Sequence, residues 1–109
     1  MSSTSERIVI VAYRPHNGKE NELLKVSKTH WDRLYAEGLV SDRKPILMKN
    51  DAGFVIEVFG WKSKEAIESA HGNTNVQQMW QEYAEVADYI PACEIEEIMS
   101  LFSEFSPVM

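Results

Sequence analysis

Residues 43–61, Arg43-Lys-Pro-Ile-Leu-Met-Lys-Asn-Asp-Ala-Gly-Phe-Val-Ile-Glu-Val-Phe-Gly-Trp61, decide the fold. Two strands, Arg43 to Lys49 and Gly53 to Trp61, flank Asn50-Asp-Ala-Gly53, whose residue types suit a tight hairpin turn. The second strand carries large apolar residues on both faces, with Glu57 as the one charge in its middle. Upstream, Gly38 can take the left-handed conformation that closes a helix, and Leu39 can fold back on Leu34. That helix opens at Asn17-Gly-Lys-Glu20, which has capping-box spacing, and repeats Leu23, Ser27, His30 and Leu34 at three and four residues. Before it, Ile8-Val-Ile-Val-Ala-Tyr13 is β-branched without alternation and is stopped by Pro15 and Gly18, so it is a strand with both faces buried.

Downstream, Ser63 caps a short helix through about Ala70 that ends near Gly72. A second capping box, Thr74-Asn-Val-Gln77, opens a helix with Val76, Met79, Trp80, Tyr83, Ala87 and Ile90 on one face, ended by Pro91. Ile95, Ile98 and Met99 have the spacing of a further helical turn, and a last strand is placed at about Ser100 to Val108.

The order strand, helix, strand, strand, helix, strand predicts an α+β protein of ferredoxin-like βαββαβ topology, an antiparallel sheet with helices on one face. An antiparallel sheet with one wet face alternates apolar and polar residues, and strands one and three do not. With no segment left to cover the second face, a second copy, sheet against sheet, is expected to do so.

A chain of 109 residues supports one core, so residues 7–109 read as a single domain behind a flexible leader, residues 1–6. The net charge of -6, with 11 Lys and Arg scattered along the chain, lacks the footprint of a nucleic-acid binder. Lone Cys93 closes no internal disulfide, no signal segment opens the chain, and no apolar run approaches a membrane span. A cytoplasmic homodimer with no nucleic-acid or membrane partner is expected.

Several segments resemble the dimeric α/β-barrel superfamily, and within it the proteins related to antibiotic biosynthesis monooxygenases. They are Glu37-Gly-Leu-Val-Ser-Asp-Arg43, Ile56-Glu-Val-Phe-Gly-Trp61 with Lys62-Ser63, Ala70-His71 followed by Val76 and Trp80, and Phe102-Ser-Glu-Phe105. The resemblance implies a dimeric barrel and an oxygenase that uses neither metal nor flavin, acting on a small aromatic or polyketide-like molecule. The superfamily also holds small isomerases and decarboxylases, among which fold alone does not choose, and haem-degrading enzymes with an Asn on the first strand, where this sequence has no Asn between Arg7 and His16.

Glu57 is costly to bury unless paired, and His30, on the apolar face of the first helix, is its candidate partner. Such a pair suits proton transfer near neutral pH, and equally suits a structural tie between strand and helix. His71, matching the family's Ala-His, reads as an acid, base or substrate donor at a pocket mouth, or as a complement to the helix dipole. Trp61, Trp80 and Tyr83 read as substrate-binding aromatics or as plain core. The catalytic candidates are therefore His30, Glu57 and His71. Their residue types fit a two-His, one-carboxylate iron site, but the three come from separate elements without chelate spacing. With no phosphate-cradling loop and no serine nucleophile motif either, no metal or cofactor is expected. The alternative to an enzyme is a non-catalytic small-molecule binder or accessory dimer.

Overall fold

The centre of the sheet is the pairing of β1 (Arg7–Pro15) with β3 (Val55–Trp61), in a computed structural model that describes residues 5–108. Val9 lies opposite Phe59, Val11 opposite Glu57 and Tyr13 opposite Val55. Beside β3 runs β2 (Ile46–Lys49), and beside β1 runs β4 (Ala87–Ile90). A short β5 (Ser106–Pro107) extends the sheet beyond β2, giving the order β4-β1-β3-β2-β5 with every pairing antiparallel. The hairpin between β2 and β3 turns on Asn50 and Gly53: Gly53 has φ +89°, and the Asn50 side chain accepts from the Phe54 amide at 2.9 Å.

Helices α1 (Glu20–Ala36), α2 (Lys64–His71) and α3 (Thr74–Val86) cover one face of this sheet. The architecture is α+β and compatible with a ferredoxin-like fold, its second crossover broken into two helices. Spacings of four, three and four residues bring Leu23, Ser27, His30 and Leu34 of α1 onto one buried stripe. The helix closes at Gly38, φ +74°, where the Leu39 amide reaches the Leu34 carbonyl and the Gly38 amide reaches that of Tyr35. Two apolar clusters fill the space between layers, one around Leu34, Phe59, Trp61 and Met79, the other around Tyr13, Leu23, Val55 and Tyr83. Arg33 of α1 grips Glu82 of α3 through two hydrogen bonds, 2.7 and 3.0 Å long.

Several expectations are corrected here. Neither capping box forms as placed: Lys19 holds the cap position of α1 without a side-chain bond, and Asn73, one residue before Thr74, caps α3 by accepting from the Asn75 and Val76 amides. Ala87 and Ile90 do not continue the α3 face. The helix stops at Val86, and residues 87–90 form β4, whose backbone pairs with β1 from Ala12 to Pro15. Pro91 therefore follows a strand, not a helix.

The strand expected over Ser100–Val108 shrinks to Ser106–Pro107, on the β2 side of the sheet. The segment before it does something unforeseen. Two 3-10 turns at Ala92–Glu94 and Glu96–Met99 bring Ile95 and Ile98 across the face opposite the helices, where they and Phe105 pack on Ala12, Met48, Ile56 and Ile90. One end of that face is thus covered by the chain itself. The other end is open: Ile8, Ile10 and Ile46 are 55%, 62% and 54% exposed, so β1 is not buried on both faces within one chain.

Of the leader, residues 1–4 lie outside the described residues. Glu6 is tied to Ser41 and Arg43, and Ser5 reaches the Lys62 carbonyl. Among the described residues, no helix is long and apolar enough to cross a membrane.

Candidate functional site

Three elements deliver side chains to one buried point. β3 is buried along nearly its whole length, and pleating turns Glu57 to the helix side with Val55, Phe59 and Trp61. Tyr13 of β1 stands one diagonal step away on the same face, within reach of a long side chain. His30 comes down from the buried stripe of α1. The result is a short hydrogen-bonded chain: the Tyr13 hydroxyl donates to Glu57 Oε1 at 2.9 Å, and His30 Nδ1 meets the same oxygen at 2.8 Å.

Glu57 is 1% exposed and His30 3%, so both donors are needed to offset the desolvation of the carboxylate. Burial and the neighbouring Glu57 charge hold the Tyr13 phenol well above its ordinary pKa, which keeps it a proton donor. Tyr83 stacks on Tyr13 with ring centroids 4.4 Å apart and meets His30 edge-on at 5.1 Å, and burial raises its phenol as well. Tyr89 of β4 completes the aromatic group at 5.4 Å from Tyr13; its phenol is pushed up to about 12 by partial burial and the Glu57 charge.

The other imidazole nitrogen carries the chemical interest. Because the Glu57 oxygen accepts, His30 Nδ1 faces it as the donor, and in the neutral ring Nε2 is the acceptor. That Nε2 is buried and has no hydrogen-bond partner among the described residues. The His30 ring lines a cavity of about 440 Å³ whose other walls are Val9, Val11, Tyr13, Phe59, Trp61, His71, Trp80 and Tyr89. The ring is thus oriented by a carboxylate at the edge of an apolar wall, with Nε2 itself enclosed by protein.

Of the expected site residues, His30, His71, Trp61 and Trp80 share this cavity. Glu57 stands behind it, in contact through His30 and Tyr13 rather than on the wall. Tyr83 is fully buried behind Tyr13 and His30 and is not among the lining residues. His71, the last residue of α2, is exposed; its Nδ1 donates to the Ile67 carbonyl at 2.9 Å, and its ring lies edge-on to Trp80 at 5.3 Å.

Tyr13 and Tyr89 were missed by sequence reasoning. Tyr13 could have been noticed as sharing a strand face with Val9 and Val11; Tyr89 was hidden by reading β4 as helix. Among the described residues no three His, Cys, Asp or Glu side chains are grouped to hold a metal ion.

Fold and site together define a class: an α+β protein with an aromatic-walled cavity beside a buried Tyr–Glu–His chain. No protein family, curated protein or solved structure matches this sequence or fold.

Proposed function

We propose that the protein is an enzyme of the cofactor-independent monooxygenase type, which admits a small aromatic or polyketide-like molecule to the cavity and removes a proton from it with His30 Nε2. The observation that carries this reading is the His30 ring on the wall of an apolar, aromatic cavity, held from behind by Glu57 and with a buried Nε2 that has no hydrogen-bond partner among the described residues. The resemblance to the antibiotic biosynthesis monooxygenases supplies the reaction class. An activated methylene gives its proton to Nε2, and the resulting carbanion passes an electron to dioxygen and recombines as a peroxide. The imidazolium returns the proton to give the hydroperoxide. Loss of the second C–H proton with hydroxide then leaves a carbonyl and one water. One oxygen atom stays in the product and the other leaves as water, so the electrons balance with no external reductant. Glu57 stabilises the imidazolium formed midway, and the hydrocarbon walls exclude water from the carbanion.

The same reading makes the working molecule a homodimer in the cytoplasm. Ile8 and Ile10 of β1, Val58 of β3 and Ile46 of β2 lie side by side on the face away from the helices. A second copy laid on this patch buries it symmetrically and closes the two sheets into a barrel.

The test is oxygen uptake by the purified protein with a panel of hydroxylated anthrones and naphthols, without added metal, flavin or reductant. Uptake that depends on a substrate and is lost in His30→Asn is expected. Ligand binding without uptake across the panel, or uptake that survives His30→Asn, would instead make the protein a binding module or move the base elsewhere.

A further inference from the structure

We propose that His16 is a proton-operated clamp: its imidazolium form ties the end of α3 to the start of β4, and loss of the proton loosens that junction and, with it, the Tyr89 wall of the cavity. The inference goes beyond the proposed chemistry and does not depend on which molecule the cavity takes.

α3 ends at Val86 and β4 begins at Ala87, so helix passes into strand with no connecting residue. The last carbonyls of a helix have no partner within it and must find donors elsewhere. His16, the residue after β1, meets two of them. Its backbone amide donates to the Val86 carbonyl at 2.7 Å, and its Nδ1 lies 3.3 Å from the Glu85 carbonyl. On the strand side its Nε2 lies 3.0 Å from Asp88 Oδ1. One half-buried residue thus touches both sides of the junction.

Both ring nitrogens face oxygens that only accept, a carbonyl and a carboxylate. A neutral imidazole has a single N–H, so it satisfies one of them and sets a lone pair against the other; imidazolium has two and satisfies both. The positive charge also suits the C-terminal end of a helix. The charged groups around the ring are Asp88 of β4, Arg14 of β1, 3.3 Å from the other Asp88 oxygen, and Glu94 of the first 3-10 turn, 3.8 Å from Arg14; Glu85 of α3 meets the ring through its carbonyl. The Asp88 carboxyl is held below its ordinary pKa, first by the His16 hydrogen bond and then by Arg14, so it remains an anion while an imidazole titrates. Arg14 keeps its own hold on Asp88 throughout, so what the proton controls is the tie between strand and helix. The ring proton is bonded in the closed clamp and not in the open one. Closure is therefore favoured at low pH and fades as pH rises through the imidazole range, roughly pH 5 to 8. Tyr89, next along β4, lines the cavity and packs on Tyr13 with ring centroids 5.4 Å apart, so a loosened β4 is a loosened cavity wall.

The test is hydrogen exchange at the amides of residues 87–90, read by NMR as protection relative to the unfolded chain so that the pH dependence of exchange itself cancels. The His16 ring is followed in the same samples by its nitrogen shifts. In the wild type, protection should fall roughly three- to tenfold between about pH 5 and 8, the scale of one hydrogen bond, in step with loss of the second ring proton of His16. Cross-relaxation between the Tyr89 and Tyr13 rings should weaken over the same range. His16→Gln, which cannot gain a proton, should show constant protection at the level the wild type reaches at the upper end of that range. Protection that stays flat in the wild type, or a pH dependence that persists in His16→Gln, would overturn the clamp. So would a His16 ring that holds only one proton at the lower end of the range. A junction that loosens while the Tyr89–Tyr13 contact holds would overturn the link to the cavity.

Discussion

A carboxylate inside a central strand is tolerated only where donors reach it, and Glu57 has two on a single oxygen. Glutamine in its place keeps the shape and an oxygen able to accept from both Tyr13 and His30, while removing the charge that would stabilise imidazolium. Glu57→Gln should therefore lower kcat/KM by roughly 100-fold or more while costing about 1–2 kcal/mol of stability in urea unfolding. A loss of several kcal/mol with turnover unchanged would show the pair to be a structural tie. At this scale much of the site was legible. His30 fell on an apolar helical stripe and Glu57 in an apolar strand, and a buried base and a buried acid seek each other. Tyr13 was not legible as the third member, because its place beside Glu57 depends on the register of β1 against β3, which the residues of neither strand specify alone.

Elements were legible where chain chemistry is local and obscure where the partner decides. Gly38 and Leu39 announced the end of α1, and Asn50 to Gly53 announced the hairpin, since both need particular backbone angles. Residues 87–90 are too short to show a period: Ala87 and Ile90 continue the helical spacing from Tyr83, and only pairing with β1 makes them a strand.

The start of β1 is held by another long-range tie, invisible in the sequence. The Glu6 carboxylate takes two bonds from Arg43 and one from Ser41, and Gly60 leaves the room, because a Cβ there would strike both the Glu6 and Ser41 side chains. These bonds pull the Glu6 pKa from 4.5 down to about 2, the Arg43 hydrogen bonds contributing most. A depressed carboxyl pKa adds stability that is whole above the unfolded value and drains away as pH falls through the folded one. Wild type should thus exceed Glu6→Gln in urea midpoint at neutral pH, and the gap should close between pH 4.5 and about 2. A gap that stays constant across that window would mean the Glu6 charge plays no part in holding β1.

For the whole molecule, the decisive feature is a sheet whose second face is half clothed. The chain folds its own segment from Ile95 to Phe105 across one end, a use of the C-terminal residues that spacing did not reveal because 3-10 turns and irregular backbone carry little periodicity. At the other end Ile8, Ile10 and Ile46 stay exposed, and Leu101 and Phe102, on the segment that crosses this face, are exposed as well. Removing such side chains from water is worth about 1.5–3 kcal/mol each, enough in sum to hold two copies together at micromolar concentration after association costs. Light scattering should therefore give twice the 12.5 kDa chain mass, with a melting temperature that rises with protein concentration. Ile10→Glu places a charge at the centre of the patch and should yield the monomer. Val9 and Val11 turn toward the cavity while Ile10 turns away, so the monomeric variant should still bind aromatic ligands within a few-fold of wild type. A wild-type protein that runs at 12.5 kDa at tens of micromolar would show that no second copy covers this face. An Ile10→Glu monomer that folds but has lost all ligand binding would show that the cavity needs the partner to keep its shape.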